Sequence, residues 1–240
     1  MWEITLLGKP SDIVYFLELK NTTKKIFGSS ALVVITFEKD LVLSLAVLDK
    51  NHIKRAKKLV MQTIIKIVKI EYMQQNLKIF SSDKSLNSFL LSNIITLDLS
   101  DEVNYALQKT KLTKIVSIRS FVQFRLHNVI ELWDREIGYY NLNFGGDDES
   151  KYLSLLKFIA NNNTCKSDIM YLEIAKNEML LLDNKRKKLK SINLYDEVGI
   201  IASLVMFAPR RLIINCTNSL SNKVSNLISY IFEDRVSVLL

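Results

Sequence analysis

The clearest pattern along the chain is a pair of apolar runs near the N-terminus, ALVVITF (Ala31 to Phe37) and LVLSLAVL (Leu41 to Leu48). Three charged residues separate the runs, which predicts a β-hairpin with a short polar loop. Neither run alternates strictly between apolar and polar positions, so we expect both faces of this sheet to be covered. Residues 2–7 form a candidate further strand and residues 11–19 a candidate short helix.

The periodicity becomes helical from Asn51 to about Asn76. Apolar residues recur on one side of this helix: Ile53, Ala56, Val60, Ile64, Ile67 and Ile70. Basic residues gather on the opposite side: Lys54, Arg55, Lys58, Lys66 and Lys69. No acid occurs between Lys50 and Ile70, so the pattern predicts a basic amphipathic helix. Its outer side is either solvated or bound to a phosphate backbone or an anionic membrane.

The middle of the chain is predicted to be helical. Ser100 is a good helix cap, and the acids Asp101 and Glu102 follow it at the positive end of the helix dipole. The stretch FVQFRLHNVIELW, from Phe121 to Trp133, predicts one helix that continues to about Tyr140 and carries a broad apolar arc. A break with two adjacent glycines follows at residues 144–150. Asp147 in this break is a candidate cap for the next helix, which ends before residues 161–163.

The C-terminal part predicts a different arrangement. The runs IMYLEIA (169–175) and EMLLLD (178–183) predict a β-hairpin. A helix at 194–207, a strand at 212–215, a helix at 219–232 and a strand at 235–239 complete the chain. Strand, helix and strand at this spacing predict a parallel pair joined by a right-handed crossover.

The fold class that follows is α+β, with sheet-forming segments at both ends and a helical middle. The C-terminal part has a β-hairpin followed by a β-α-β crossover. We expect three parts: 1–80 with the hairpin and the basic helix, 81–163 with the helical middle, and 164–240 with α+β structure. A single continuous globular unit is the alternative.

Composition excludes several classes of enzyme and site. A chain of 240 residues with 48% hydrophobic residues can bury a core without disulfides or metal. With only six glycines it contains neither a dinucleotide-binding G-x-G-x-x-G nor a P-loop. His52 and His127 are the only histidines, too few for a histidine-based zinc site without further ligands. We therefore predict no metal and no cofactor, and the sequence selects no catalytic residue.

Three features of the sequence predict the cellular location of the protein. Cys165 and Cys216 form no C-x-x-C, which indicates reduced thiols. The start of the chain lacks the basic region of a signal peptide. The longest uncharged apolar run, Val198 to Pro209, is too short to cross a bilayer. We expect a cytoplasmic protein.

A net charge of +8 indicates either a polyanionic partner or the lysine bias of an AT-rich genome. Three basic features could bind such a partner. They are Lys54 and Lys58 of the basic helix, the run of Lys185, Arg186, Lys187 and Lys188 within residues 185–190, and the pair Arg210 and Arg211 before a strand. For that pair the alternative is an ion pair that closes the corner between helix and strand.

Four stretches together resemble a known family. They are FxxFRL (Phe121 to Leu126), KYLSLLKFI (151–159), LYDEVGIIASLVMFAPRRLIIN (194–215) and IFEDRV (231–236). In this order and spacing, over about the second half of the chain, they resemble the YtxC-like family of sporulation proteins from endospore-forming bacteria. The resemblance implies a role in spore formation and residence in the cytosol, and it carries no activity or cofactor.

Arg125 falls within the apolar arc of the Phe121 helix, between Phe121 and Val129. A buried arginine must be paired, because an unpaired buried charge would cost several kcal/mol. The candidate partners are Asp196 and Glu197, whose helix is apolar enough to pack inward. The alternative is that Arg125 lines a cleft and contacts an anionic ligand.

Three functions therefore stay open. The first is a non-catalytic interaction protein of sporulation, with a protein partner that the sequence does not identify. The second is a weak, non-specific binder of nucleic acid or of an anionic surface, through the Lys54 helix and residues 185–190. The third is an enzyme with an unrecognised site near Arg125.

Overall fold

The computed structural model describes residues 1–37, 39–78, 84–145, 149–163, 167–175, 177–215 and 220–238, with only the backbone at 84–86 and 149. The strands are β1 (Trp2–Gly8), β2 (Ala31–Phe37), β3 (Leu41–Val47), β4 (Ile115–Ser117), β5 (Ile169–Ala175), β6 (Glu178–Leu182), β7 (Lys188–Asn193), β8 (Arg211–Ile214) and β9 (Val236–Val238). The helices are α1 (Ile13–Phe27), α2 (Ile53–Asn76), α3 (Lys84–Leu97), α4 (Leu99–Lys109), α5 (Ile118–Arg125), α6 (His127–Phe144), α7 (Glu149–Asn162), α8 (Glu197–Phe207) and α9 (Asn222–Phe232). The expectations for Asp147, Cys165 and Cys216 lie outside the described residues.

The chain divides into two compact units. Unit 1 contains residues 1–77 and 98–139, and unit 2 contains residues 78–97 and 140–240. This division differs from the three consecutive segments predicted from the sequence, because α3 packs against α7 and α8 while the chain from α4 onward returns to α2 and β1. The α+β class, with a sheet near each end of the chain and helices between, is confirmed.

Unit 1 is built on a four-stranded sheet in the order β2-β3-β1-β4. The predicted hairpin of β2 and β3 is confirmed, and β4 adds a parallel strand beside β1. Alternate residues of β3 are buried beneath the helices: Leu41, Leu43, Leu45 and Val47. The other face is open, with Leu32 65% and Val34 45% exposed, so the expectation of two covered faces is wrong. Ser44 and Thr5 lie on this open face beside the apolar residues, and their hydroxyl oxygens are 3.3 Å apart.

The helices of unit 1 pack around α2. This helix spans Ile53–Asn76, close to the predicted limits, and contacts α1, α4 and α5. The predicted helix from Phe121 to Tyr140 is two helices, because Leu126 (φ −128°, ψ 31°) leaves the helical conformation between α5 and α6. Arg125 is the last residue of α5 and therefore does not continue an apolar arc into α6.

Unit 2 has a five-stranded sheet in the order β7-β6-β5-β8-β9. The predicted hairpin of β5 and β6 is confirmed, and so is the parallel pairing of β8 with β9, which α9 connects. The sequence pattern did not predict β7, which begins inside the basic run at Lys188. The most apolar helix of this unit, α8, packs against α3, α7 and α9 and buries Ile200, Ile201, Leu204 and Val205.

Candidate anion-binding surface and buried charge networks

Two helices of unit 1 bring their basic ends together. Helices α1 and α2 pack antiparallel, because Lys66 of α2 pairs with Glu18 of α1 at 2.8 Å, while the Phe27 ring at the end of α1 lies 5.1 Å from the His52 ring just before α2. Seven exposed cations lie at this end or, in the case of Lys20, midway along α1: Lys20, Lys24, Lys25, Lys50, Lys54, Arg55 and Lys58. We call these seven residues the basic end.

The cations of the basic end are uncompensated. Within the part of the chain that the structure describes, none of the seven forms an ion pair. The carboxylate in this region, Asp49, accepts a hydrogen bond from the Asn51 N–H at 2.8 Å and lies 3.9 Å from His52 Nε2. Lys57 is half-buried and lies over the Trp2 ring. The basic end is therefore a patch of positive potential open to solvent.

The helix dipoles favour the cations at the end of α1 and disfavour those at the start of α2. Lys24 and Lys25 lie in the last turn of α1, where the negative end of the dipole favours them. Lys54, Arg55 and Lys58 lie in the first two turns of α2, where the dipole disfavours them and no acid occurs in the first turn. Lys54 and Lys58 are thus exposed as predicted and lie where they do not stabilise their own helix.

The second basic feature, residues 185–190, is partly occupied by internal contacts. Residues 183–187 form the turn between β6 and β7, in which Asp183 Oδ1 accepts hydrogen bonds from the N–H groups of Lys185 and Lys187, each at 2.9 Å. Arg186 lies over the Tyr171 ring and pairs with Glu173. Lys188 lies 4.0 Å from Glu178. Only the side chains of Lys185 and Lys187 are left exposed without such a partner among the described residues.

The third basic feature lies just before β8 and contacts the residue that precedes β5. Arg210 Nη1 lies 3.5 Å from Asp168 Oδ1, and both side chains are largely exposed. Arg211 is exposed at the start of β8, where its N–H donates to the Asp168 carbonyl at 2.9 Å. This exposed contact joins the starts of β8 and β5, two adjacent strands, rather than the corner between α8 and β8 that the sequence offered as the alternative to an anion site.

The predicted burial of Arg125 is wrong. Its side chain is exposed because α5 ends at this residue, and an exposed guanidinium cannot be part of a buried pair. Its predicted partners have local roles instead. Asp196 caps α8 by accepting a hydrogen bond from the Gly199 N–H at 2.8 Å, and Glu197 accepts one from the Ser221 hydroxyl at 2.6 Å.

The buried cation among the described residues of unit 1 is Lys69, which the sequence placed on the outer side of α2. Its side chain is 0% exposed. Lys69 Nζ donates to Glu102 Oε1 at 2.6 Å and lies 3.1 Å from Glu136 Oε2. The Trp133 indole N–H donates to the same Glu102 oxygen at 2.8 Å, and the ring is fully buried. We call these four residues the Lys69 network.

In the Lys69 network, two carboxyl groups face a single cation. Glu102 Oε2 is buried and accepts no hydrogen bond from any described residue. Burial raises the pKa of the Glu136 carboxyl, and the charges of Glu102 and Asp98 raise it further, while Lys69 lowers it only in part. The carboxylate side of the network is therefore crowded around one cation, which suits a structural element better than a binding site.

A second network joins the turn between β1 and α1 to α2 and α5. Arg119 forms two hydrogen bonds with the buried carboxylate of Asp12, at 2.7 and 3.0 Å, and one with Glu71 Oε2 at 2.8 Å. Lys9 Nζ donates to the other Glu71 oxygen at 2.6 Å. Burial raises the pKa of Glu71, but the hydrogen bonds from Lys9 and Arg119 outweigh it and lower the pKa below its ordinary value.

The neighbouring backbone leaves little room for change at this second network. A Cβ on Gly8 would lie 2.8 Å from Asp12 Oδ2 and 3.1 Å from Phe16 Cζ. The Asp12 carboxylate also accepts a hydrogen bond from the Lys9 N–H at 2.8 Å. Glycine at position 8 therefore allows β1 to end against this carboxylate, which anchors Arg119 of α5.

The sequence pattern predicted neither network. Helix α2 exposes Lys58 and Gln62 on one side in its first half and buries Ile65, Lys69 and Met73 on the same side in its second half, against α4. A single hydrophobic arc drawn for the whole helix therefore places Lys69 outside. The available signal was local, since Ile65 and Met73 lie one turn before and one turn after Lys69.

Neither network suggests a metal centre. Among the residues that the structure describes, no group of three histidine, cysteine, aspartate or glutamate side chains could hold a metal ion. In the same residues no helix combines the length and the hydropathy that crossing a bilayer requires.

The open face of the unit 1 sheet holds a depression of about 400 Å³, lined by Leu32, Val34, Ala46, Ile115 and the ion pair of Glu3 with Lys114.

Comparison of the chain with protein-family models, with curated proteins and with solved structures found no match, so the YtxC-like resemblance has no support from relatives.

Proposed function

We propose that this chain is a non-catalytic binding protein that attaches to a polyanionic surface through its basic end. The observation that carries the proposal is the convergence of seven exposed cations, from two antiparallel helices and the turn before α2, with no ion pair to any described carboxylate. Binding of this kind gains free energy from the release of counterions and weakens steeply as salt rises.

The electrostatics of α2 supports a role in binding rather than in stability. Lysines that served only to stabilise the fold would favour the C-terminal turn of a helix, as Lys24 and Lys25 do. Lys54 and Arg55 lie in the first turn of α2, where they oppose the dipole. The overall charge of +8 adds a long-range attraction to any polyanion.

A polyanion column tests the proposal. The protein should be retained on immobilised heparin and eluted by salt. The variant Lys24→Ala/Lys25→Ala/Lys54→Ala/Lys58→Ala should elute at clearly lower salt. The matched control is Lys185→Ala/Arg186→Ala/Lys187→Ala/Lys188→Ala, which removes the same net charge from residues 185–190. An equal effect of both variants would show that net charge alone drives retention, and the proposal would be wrong.

A role in sporulation is a separate proposal that depends only on the resemblance of the four stretches to the YtxC-like family. We propose on that ground a cytoplasmic protein that acts during endospore formation. A fusion of the native promoter to a fluorescent reporter should be silent in growing cells and active in sporulating ones. Equal expression in both conditions would remove this proposal without affecting the proposal for the basic end.

The enzyme alternative depended on a cleft at Arg125, and the exposed position of Arg125 lends it no support.

A further inference from the structure

Helix α1 exposes apolar residues in its first half, the last of them one turn before Lys20 of the basic end. Ile13, Val14 and Leu17 are 37%, 65% and 45% exposed. At about 100° per residue, they share an arc of about 120° with Lys24 and Lys25 of the same helix. The opposite side of α1 is also apolar, since Phe16, Leu19 and Phe27 are buried there. The outer arc is thus apolar in its first two turns and basic in its last two.

This arrangement is more specific than a scattering of exposed apolar side chains. Single exposed aliphatic residues are ordinary on protein surfaces. Here three of them adjoin one another and are continuous with a cluster of unpaired lysines. An amphipathic helix that lies in a membrane interface has this composition, with aliphatic residues at the boundary of the acyl chains and lysines that extend to the headgroups.

We propose that the outer arc of α1 lies on an anionic bilayer surface, with Ile13, Val14 and Leu17 inserted at the headgroup boundary. Lys20, Lys24 and Lys25 of α1, together with Lys54, Arg55 and Lys58 of α2, then face the lipid phosphates. This inference rests on the proposed function and names its partner. Glu18, the exposed acid on this side of α1, is already paired with Lys66 at 2.8 Å and adds little repulsion.

The same residues fit nucleic acid less well. A phosphate backbone would leave Val14 and Leu17 in water, so their exposure would have no use. Recognition of nucleic acid relies on arginine forks and on aromatic rings that stack with bases. Arg55 is the one arginine of the basic end. The Phe27 ring at the end of α1 is buried, and Trp2 is half-buried beneath Lys57.

Vesicle flotation tests the inference. Wild type should float with vesicles of phosphatidylglycerol and phosphatidylcholine in equal parts, and not with phosphatidylcholine alone. The variant Val14→Ser/Leu17→Ser should bind the anionic vesicles about tenfold or more weakly, because two aliphatic side chains no longer leave water. Its retention on heparin should be unchanged. The matched control, Leu32→Ser/Val34→Ser, changes equally exposed residues on the open face of the sheet and should bind like wild type.

Each other outcome separates the inference from the proposed function. Anionic vesicle binding that survives Val14→Ser/Leu17→Ser shows purely electrostatic attachment, and the inference is wrong while the proposed function stands. Retention on heparin and retardation of duplex DNA, without flotation, make nucleic acid the partner and also overturn the inference. Absence of both heparin retention and flotation removes the proposed function itself. Circular dichroism of each variant checks that the fold is intact.

Discussion

At the scale of single residues, Lys69 has the environment with the largest energetic consequence. Lys69→Met should lower the free energy of unfolding by about 3 kcal/mol or more, because Glu102 would then keep a buried charge without its cation. The double variant Lys69→Met/Glu102→Gln should recover more than half of that loss, since it also removes the charge left unpaired. Urea denaturation followed by circular dichroism measures both.

Arg125→Ala is the control for this prediction. The exposed position of Arg125 implies a change within about 0.5 kcal/mol. A loss of several kcal/mol in Arg125→Ala, or an unchanged unfolding midpoint in Lys69→Met, would contradict the placement of these two cations.

Glu136 and Glu71 should give stability profiles of opposite sign. The pKa of Glu136 is raised, so its ionised form costs stability; stability falls as pH rises from the ordinary glutamate pKa through the raised one, and the cost is absent at lower pH. The pKa of Glu71 is lowered, so its contribution is present above the ordinary pKa and is lost as pH falls through the lowered one.

Unfolding curves of two variants over acidic pH separate these contributions. Glu136→Gln should lessen the decline in stability as pH rises above the ordinary glutamate pKa. Glu71→Gln should lessen the loss of stability as pH falls below it. The same change of slope in both variants would mean that one of the two environments is described wrongly.

Single-residue burial was the property that sequence predicted least well. Lys54 and Lys58 are exposed as expected, yet Lys69 is buried on the same side of α2, because α4 covers only part of the helix. Glu102 looked like a dipole partner at the start of α4, but it lies one turn after Leu99 and one turn before Ala106, both buried. Periodicity describes a whole helix, whereas burial depends on which stretch of it a neighbour covers.

At the scale of elements, the first turn of α2 is the clearest test of function against stability. Lys54→Glu places an acid at the positive end of the helix dipole and should raise the free energy of unfolding by about 0.5 kcal/mol. The same change should reduce retention on heparin, because it reverses one charge of the basic end. Thermal melting and the salt of elution measure the two effects.

Lys109→Glu, at the C-terminal end of α4, is the matched control. Lys109 lies in the last turn of α4, where the dipole favours a cation, and its ammonium lies over the Tyr105 ring. This change should therefore lower stability, with little effect on heparin retention. A gain of stability in both variants would show that the dipole is not the cause.

Most elements could be predicted because their signals are local. The hairpin of β2 and β3, helix α2 and the hairpin of β5 and β6 all follow from a run, a period or a turn. Strand β7 was missed because Lys188 and Lys190 gave it the composition of a loop. The break at Leu126 was missed because apolar residues continue at helical spacing on both sides of it.

At the scale of the whole molecule, we predict that the C-terminal fragment 164–240 does not fold alone. The fragment 164–240 contains α8 but lacks α3 and α7, against which α8 packs. Ile200 and Leu204 would lose part of their burial, so the fragment should show no cooperative thermal transition. The fragment 140–240 restores α7 and should be more structured by circular dichroism. A cooperative melt of the shorter fragment would contradict this.

The division into units could not be predicted from sequence because it depends on pairings between distant segments. Nothing in the local composition of α3 indicates that it packs with α7 and α8 rather than with α2, which precedes it. The two sheets near the ends of the chain were predictable, but their full membership was not, since β4 joins β1 from more than 100 residues away in sequence.

The interleaving of the two units sets an order of events during synthesis. When α2 has left the ribosome, Lys69 has neither carboxylate of its network, and unit 1 is incomplete until residue 139 has been made. Helix α3 emerges with Leu90, Ile94 and Ile95 uncovered. Translation from the end of α3 to the end of α8 takes about 5 to 20 s. During that interval the nascent chain exposes an apolar helix that a chaperone can bind.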